Sequence, residues 1–141
     1  MGYTAKVGSS APSPHTGGSP VAVIFDSSFL MAVAETPTTW FEDIVDAIGR
    51  FQPVLLDCVQ SELERLARDR GKKSRYARLG LDLALDFKLL RCGEASVDDE
   101  VISAALAEGA LVATTDSTLA HTARAAHLRV VSLRRGRVFL N

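Results

Sequence analysis

Residues 96–116, SVDDEVISAALAEGALVATTD, hold a helix, its stop and a buried strand in one run. Ser96 is of the type that caps a helix N-terminus, and Gly109 of the type that ends one. ALVAT (110–114) then forms a short continuous apolar run, the pattern of a strand buried on both faces. A strand buried on both faces needs helices above and below its sheet, so this segment predicts an α/β fold.

The chain on either side repeats the alternation. VAVIF (21–25) is a second fully apolar run, followed by a short helical piece around Ser28 to Ala34. TTWFEDIVDAIGR (38–50) predicts a helix that turns Trp40, Phe41, Ile44, Val45 and Ile48 inward and stops near Gly49. PVLL (53–56) is another strand. Residues 58–69 and 74–90 predict two more helices, the second with an inward stripe of Tyr76, Leu79, Leu83, Phe87 and Leu90. STLAHTARAAH (117–127) is helical, RVVSL (129–133) is a strand, and RRGR turns into a last strand, VFL. The expectation is a central, mostly parallel sheet of four to five strands with helices on both faces. Residues 1–20, rich in Gly, Ser, Pro and Thr, are expected to be a disordered tail before a single domain at 21–141.

With 141 residues, 47% hydrophobic and 23% charged, the chain suits one soluble domain. Its net charge of −1 gives no global field toward nucleic acid or membrane. No apolar run approaches the roughly 18 residues that span a bilayer, and the N-terminus lacks a secretory apolar region. A cytoplasmic protein with no membrane partner is expected. Cys58 and Cys92 lie in no C-x-x-C pattern, so they are expected to be ordinary, partly buried thiols of a reducing compartment, with neither a disulfide framework nor a zinc site.

Four acids stand where propensity alone does not explain them. Asp26 directly follows VAVIF and Asp116 directly follows ALVATT, at the carboxyl ends of strands where open parallel sheets place their crevice. Each could equally be a helix N-cap. Glu62 is three residues after Val59 and four before Leu66, on the edge of the buried stripe Val59–Leu63–Leu66. A carboxylate there is costly unless paired or bound to metal, although a boundary residue reaching water is the ordinary alternative. Asp98 and Asp99 sit in a first helical turn, which favours acids anyway. Asp98 nevertheless precedes Val101 by three and Ala105 by seven, and so points along the packed face, whereas Glu100 is expected in solvent. Carboxylates gathered without inward cations call for a hard divalent cation, Mg²⁺ or Mn²⁺, one or two per site. Such a site can activate water for phosphodiester hydrolysis.

The same residues resemble the PIN-domain nucleases. That family's pattern is a first strand ending in Asp, a helix bearing V-x-x-E-L, an Asp one turn before a small-residue helix, and a strand ending in T-x-D. Here the corresponding stretches are VIFDSSFL, VQSEL, VDDEVISAALAEGALVATTD and STL, and the likeness spans residues 21–140. It is closest to archaeal PIN proteins related to ribosomal-RNA-processing nucleases, and next to VapC-type toxins. The resemblance implies a PIN-like three-layer fold. It makes Asp26, Glu62, Asp98 and Asp116 the metal-binding and catalytic quartet, with Asp99 as a second option for the third acid. Ser27, Thr114 and Thr115 would supply hydroxyls nearby, though turns and caps use the same residues. No fifth acid follows Asp116, where many toxin-type members carry one.

Basic residues are segregated. RLARDRGKKSRYAR (65–78) carries seven cations against the single acid Asp69, and Arg124, Arg129, Arg134, Arg135 and Arg137 gather near the C-terminus. Arg68, Lys72, Lys73, Arg75, Arg78, Arg134 and Arg135 are candidates for holding RNA phosphates beside the acidic pocket. A solvated face is the ordinary alternative. With aromatics at 6%, recognition by backbone charge and shape is expected over base stacking. The expected function is a metal-dependent endoribonuclease, in ribosomal-RNA processing or as a toxin. An RNA substrate, a homodimer, an antitoxin or a ribosome-assembly factor are the compatible partners. A phospho-receiver module is disfavoured, since no lysine follows ALVATT or RVVSL; a non-catalytic RNA- or protein-binding scaffold is the remaining alternative.

Overall fold

The structure, a computed structural model, describes residues 20–36 and 38–141. The tail expected at 1–20 therefore lies, Pro20 apart, outside the described residues. In chain order the elements are β1 (Val21–Phe25), α1 (Ser27–Glu35), α2 (Trp40–Ile48), β2 (Phe51–Leu56), α3 (Asp57–Ala67), α4 (Lys72–Leu83), β3 (Lys88–Leu90), α5 (Val97–Glu108), β4 (Leu111–Ala113), α6 (Ser117–Ala125), β5 (Val130–Arg134) and β6 (Arg137–Leu140).

The strands form one six-stranded sheet in the order β3-β2-β1-β4-β5-β6, parallel except for the closing β5–β6 hairpin. The chain moves outward through β2 and β3, then returns to the other side of β1 through β4. Right-handed crossovers therefore put α1 to α4 on one face and α5 and α6 on the other. The packing of α4 on both α1 and α3, and of α5 on α6, agrees with this. The order reverses between β1 and β4, and their carboxyl ends form the topological switch point. The three-layer α/β expectation is borne out.

The core runs along the middle strands, with Val23, Ile24, Phe25, Val112 and Ala113 fully buried. On the α1–α4 face the Phe25 ring meets Phe29, Trp40, Phe51 and Phe87 with centroids 5.0–6.4 Å apart. α2 lies across this face from Phe51 of β2, against Phe41, to β6, where Asp43 pairs with Arg137 at 3.1 Å.

Three expectations need correction. The helix expected over 74–90 ends at Leu83, and Lys88–Leu90 instead adds a sixth strand beside β2. Lys88-Leu89-Leu90 is too short to show a strand period against the helical spacing of the leucines before it, and the open edge of β2 decides. The inward face of α4 is Ser74, Ala77 and Gly80, while Leu79 and Leu83, expected inside, are exposed and line a cleft of about 390 Å³ with Val33 and Trp40. Small residues win that face because α4 approaches α1 closely: a Cβ on Gly80 would sit 3.4 Å from Leu30 Cβ. Finally, Cys58 and Cys92 are not separate thiols but a disulfide. The register explains it, because Leu56 pairs with Leu90, and each cysteine stands two residues beyond the end of its strand.

Candidate active site

The β1–β4 pairing builds the site. Phe25 pairs with Ala113, so the next residues, Asp26 and Thr114, leave the sheet side by side, with the Asp26 amide donating to the Ala113 carbonyl at 2.9 Å. Asp26 precedes α1 with cap-like dihedrals, yet its carboxylate makes no capping bond to the helix. Instead Oδ2 accepts from Ser28 Oγ at 2.5 Å and from Thr114 Oγ1 at 2.9 Å. Each hydroxyl has one proton, so with both directed to Asp26 the 3.0 Å Ser28–Thr114 contact is two oxygens sharing an acceptor. As acceptors, Ser28 takes the Thr115 amide and Thr114 the Asp116 amide, each at 3.0 Å. Asp26 and Thr114 are both buried.

Asp116 behaves differently. It is the N-cap of α6, its Oδ1 accepting from the Thr118 amide at 2.8 Å and the Leu119 amide at 3.2 Å. Glu62, half-buried in the second turn of α3, accepts a bond from Ser27 Oγ on Oε1 at 3.0 Å. Ser27 thus serves Glu62 rather than Asp26, beside which it was expected. Thr115 is exposed and contributes its amide, not its hydroxyl. Ser28 was missed; an Asp-Ser-Ser run entering a helix is its signal, because the second serine can reach back to the aspartate.

Asp98 and Asp99 stand in the first turn of α5, where Ser96 caps the helix by accepting the Asp99 amide at 3.2 Å. Both are exposed. Partial loss of hydration, then the negative charges of Asp26, Asp116, Glu62 and lastly Asp99, push the Asp98 carboxyl above the usual aspartate range. That ordering puts Asp98 within electrical reach of the strand-end pair and Glu62. Glu100, expected in solvent, instead clamps the loop before α5, accepting from the Gly93 amide at 2.7 Å and the Ala95 amide at 3.0 Å.

A common geometry emerges. Asp26, Glu62 and Asp116 are each held through one carboxylate oxygen, and among the described residues no hydrogen bond reaches the other: Oδ1, Oε2 and Oδ2 respectively. Mutually repelling carboxylates anchored on one side, with hard oxygen donors left over, fit a Mg²⁺- or Mn²⁺-type ion.

A family model described as a PIN like domain matches residues 23–137. The chain belongs to the PIN-like domain family. Among solved structures, this PIN-like domain is similar to the PIN domain endonuclease Utp24, with a TM-score of 0.70 and 24% identity over 86% of this chain and 92% of that one. It is also similar to a domain of a functionally unknown protein from Methanocaldococcus jannaschii DSM 2661, with a TM-score of 0.56 and 18% identity over 81% and 91%. At these identities the likeness concerns the fold. A search of curated proteins finds no match.

The basic candidates are placed as follows. Arg68, Lys72, Lys73, Arg75 and Arg78 lie on the α3–α4 turn and the first two turns of α4, all exposed, and Arg78 Nη1 also donates to the Ala67 carbonyl at 3.0 Å, closing the end of α3. Arg134 lies over the Phe139 ring at 5.1 Å, and Arg135 occupies the β5–β6 turn. Arg137, grouped with them by sequence, is taken by Asp43. No helix among the described residues is long and apolar enough to cross a membrane.

Proposed function

We propose that this PIN-like domain is a metal-dependent endoribonuclease that hydrolyses RNA phosphodiester bonds, with Mg²⁺ or Mn²⁺ held by Asp26, Glu62, Asp98 and Asp116. The observation that carries the reading is the convergence at the β1/β4 switch point. Asp26 and Asp116 follow these two strands and Glu62 comes from α3, each anchored through one oxygen only, and Asp98 of α5 feels the charge of all three. A bound divalent ion would lower the pKa of water and offset charge on the phosphate. The chain's own residues do the positioning. Ser28 and Thr114 fix Asp26, Ser27 fixes Glu62, and the α6 amides fix Asp116, so little reorganisation is left for the reaction. Asp99 borders the site as a second carboxylate.

The first turn of α4 supports an RNA substrate. It carries Lys72 and Lys73 and no acid, and its N-cap Gly71 makes no side-chain cap bond. Cations there oppose the helix dipole, whereas an anion such as a phosphate would be welcome at the same amides. Between the two branches the sequence resembles, the missing fifth acid after Asp116 favours RNA maturation, with a ribosome-assembly partner, over a toxin paired with an antitoxin.

Asp26→Asn and Asp116→Asn are each expected to abolish Mn²⁺- or Mg²⁺-dependent cleavage of structured RNA. Asparagine caps a helix as well as aspartate does, so the Asp116 variant keeps α6 intact while removing the anionic ligand. Turnover near wild type in both folded variants would sink the nuclease reading.

A further inference from the structure

Asp57, Cys58 and Cys92 make none of the quartet's anchoring bonds, and each offers a ligand atom within 4.8 Å of the others. Asp57 and Cys58 open α3, and Cys92 follows β3. We propose that, once the Cys58–Cys92 bond is reduced, these three side chains form a second cation site, specific for a zinc-type divalent ion. The proposal is independent of the nuclease reading.

Several contacts other than the disulfide keep the three residues together. β2 and β3 pair up to Leu56 and Leu90. Asp57 Oδ1 accepts the Cys92 amide at 2.9 Å, and Glu100 fixes the Gly93 and Ala95 amides. Reduction therefore leaves the thiols facing each other on a held backbone. Zinc–sulfur bonds of about 2.3 Å in a tetrahedral site put the sulfurs roughly 3.8 Å apart, a spacing that side-chain rotation can supply. Asp57 keeps its second oxygen for a cation while the first orients it. Cys58 lies in the first turn of a helix, where the dipole favours the thiolate that binds metal. Two thiolates select a soft or borderline ion, whereas the all-oxygen quartet selects a hard one, so the two sites do not compete. The chemistry balances: a dithiol reductant gives two electrons and two protons to the disulfide and closes to its own cyclic disulfide. Cation binding then releases both thiol protons to solvent. Cys58 is one helical turn before Glu62, and Cys92 is six residues before Asp98, so occupancy would tie together the two elements that bring those acids.

The test uses reduced protein, freed of reductant without oxygen and titrated with Co²⁺ or Cd²⁺. A thiolate-to-metal charge-transfer band saturating at one ion per chain is expected, and Zn²⁺ should displace Co²⁺. Oxidised protein and Cys58→Ser should show no band; alkylation of the reduced wild type is the equivalent if that variant does not fold. Asp57→Asn, which keeps an acceptor for the Cys92 amide, should retain the band with at least tenfold weaker affinity. Asp26→Asn should leave the titration unchanged. A folded, reduced protein without the band would overturn the site, as would saturation at one ion per two chains or an Asp57→Asn titration identical to wild type.

Discussion

Partial loss of hydration, and after it the charges of four other carboxylates, oppose ionisation of Asp98. Between the ordinary aspartate pKa and its raised folded value, the folded protein holds a proton that the unfolded chain has released. Its contribution to stability therefore falls as pH rises through that window and stays lowest above it. Asp98→Asn is expected to raise the melting temperature of the metal-free protein at neutral pH while abolishing cleavage. The gain should shrink as pH is lowered through the window. Mn²⁺ at a hundred times its Kd should stabilise the wild type by about 2.7 kcal/mol and the variant much less. Thermal melts with and without Mn²⁺ decide it; a metal-free variant that melts lower would make Asp98 a structural first-turn acid. At this scale the sequence was only partly legible. Asp26 and Asp116 look alike as strand-end aspartates before helices, yet one is held by hydroxyls 2 and 88 residues away and the other caps its own helix. Nothing local distinguishes them, because the distinction is made by the β1–β4 neighbour.

The α4 helix begins in a way that its own stability does not favour. Lys72 and Lys73 meet the positive end of the helix dipole over a glycine cap, and Ser74 donates to the Gly71 carbonyl at 2.7 Å instead of capping amides. Lys72→Glu is expected to stabilise the fold by about 0.3–1 kcal/mol at low salt and to weaken RNA binding in the same protein. Denaturant melts and a binding titration measure the two effects. Unchanged RNA affinity alongside the gain would make this turn a solvated surface. A helix with clear punctuation at both ends, such as α5 between Ser96 and Gly109, was legible in its bounds. The stretch after Leu83 was not, because its leucines keep a helical spacing while the open edge of β2 draws Lys88–Leu90 into the sheet.

Across the whole molecule, near-neutral net charge conceals separated basic and acidic regions. Neutralising Lys72, Lys73 and Arg75 together should flatten the log–log salt dependence of RNA binding by about two to three, at ~0.7–0.9 per phosphate contact. Binding isotherms over a range of salt concentrations test this, and an unchanged slope would remove these residues from the RNA path. The architecture was legible from alternating strand and helix patterns, whereas the disulfide was not, since it depends on the register of a strand that the pattern missed. The central pairing has a further consequence for the order of assembly. β1 finds β2 by closing a loop of about 30 residues, but β4 only across about 88. By loop-closure entropy alone the second step costs about 1 kcal/mol more. During synthesis it must also wait until the chain beyond Ala113 has left the ribosome. Asp26 emerges 88 residues before the Thr114 hydroxyl that holds it. The nascent chain thus carries an unassembled acid cluster while surrounded by RNA, and the cluster closes only when the sheet is nearly complete.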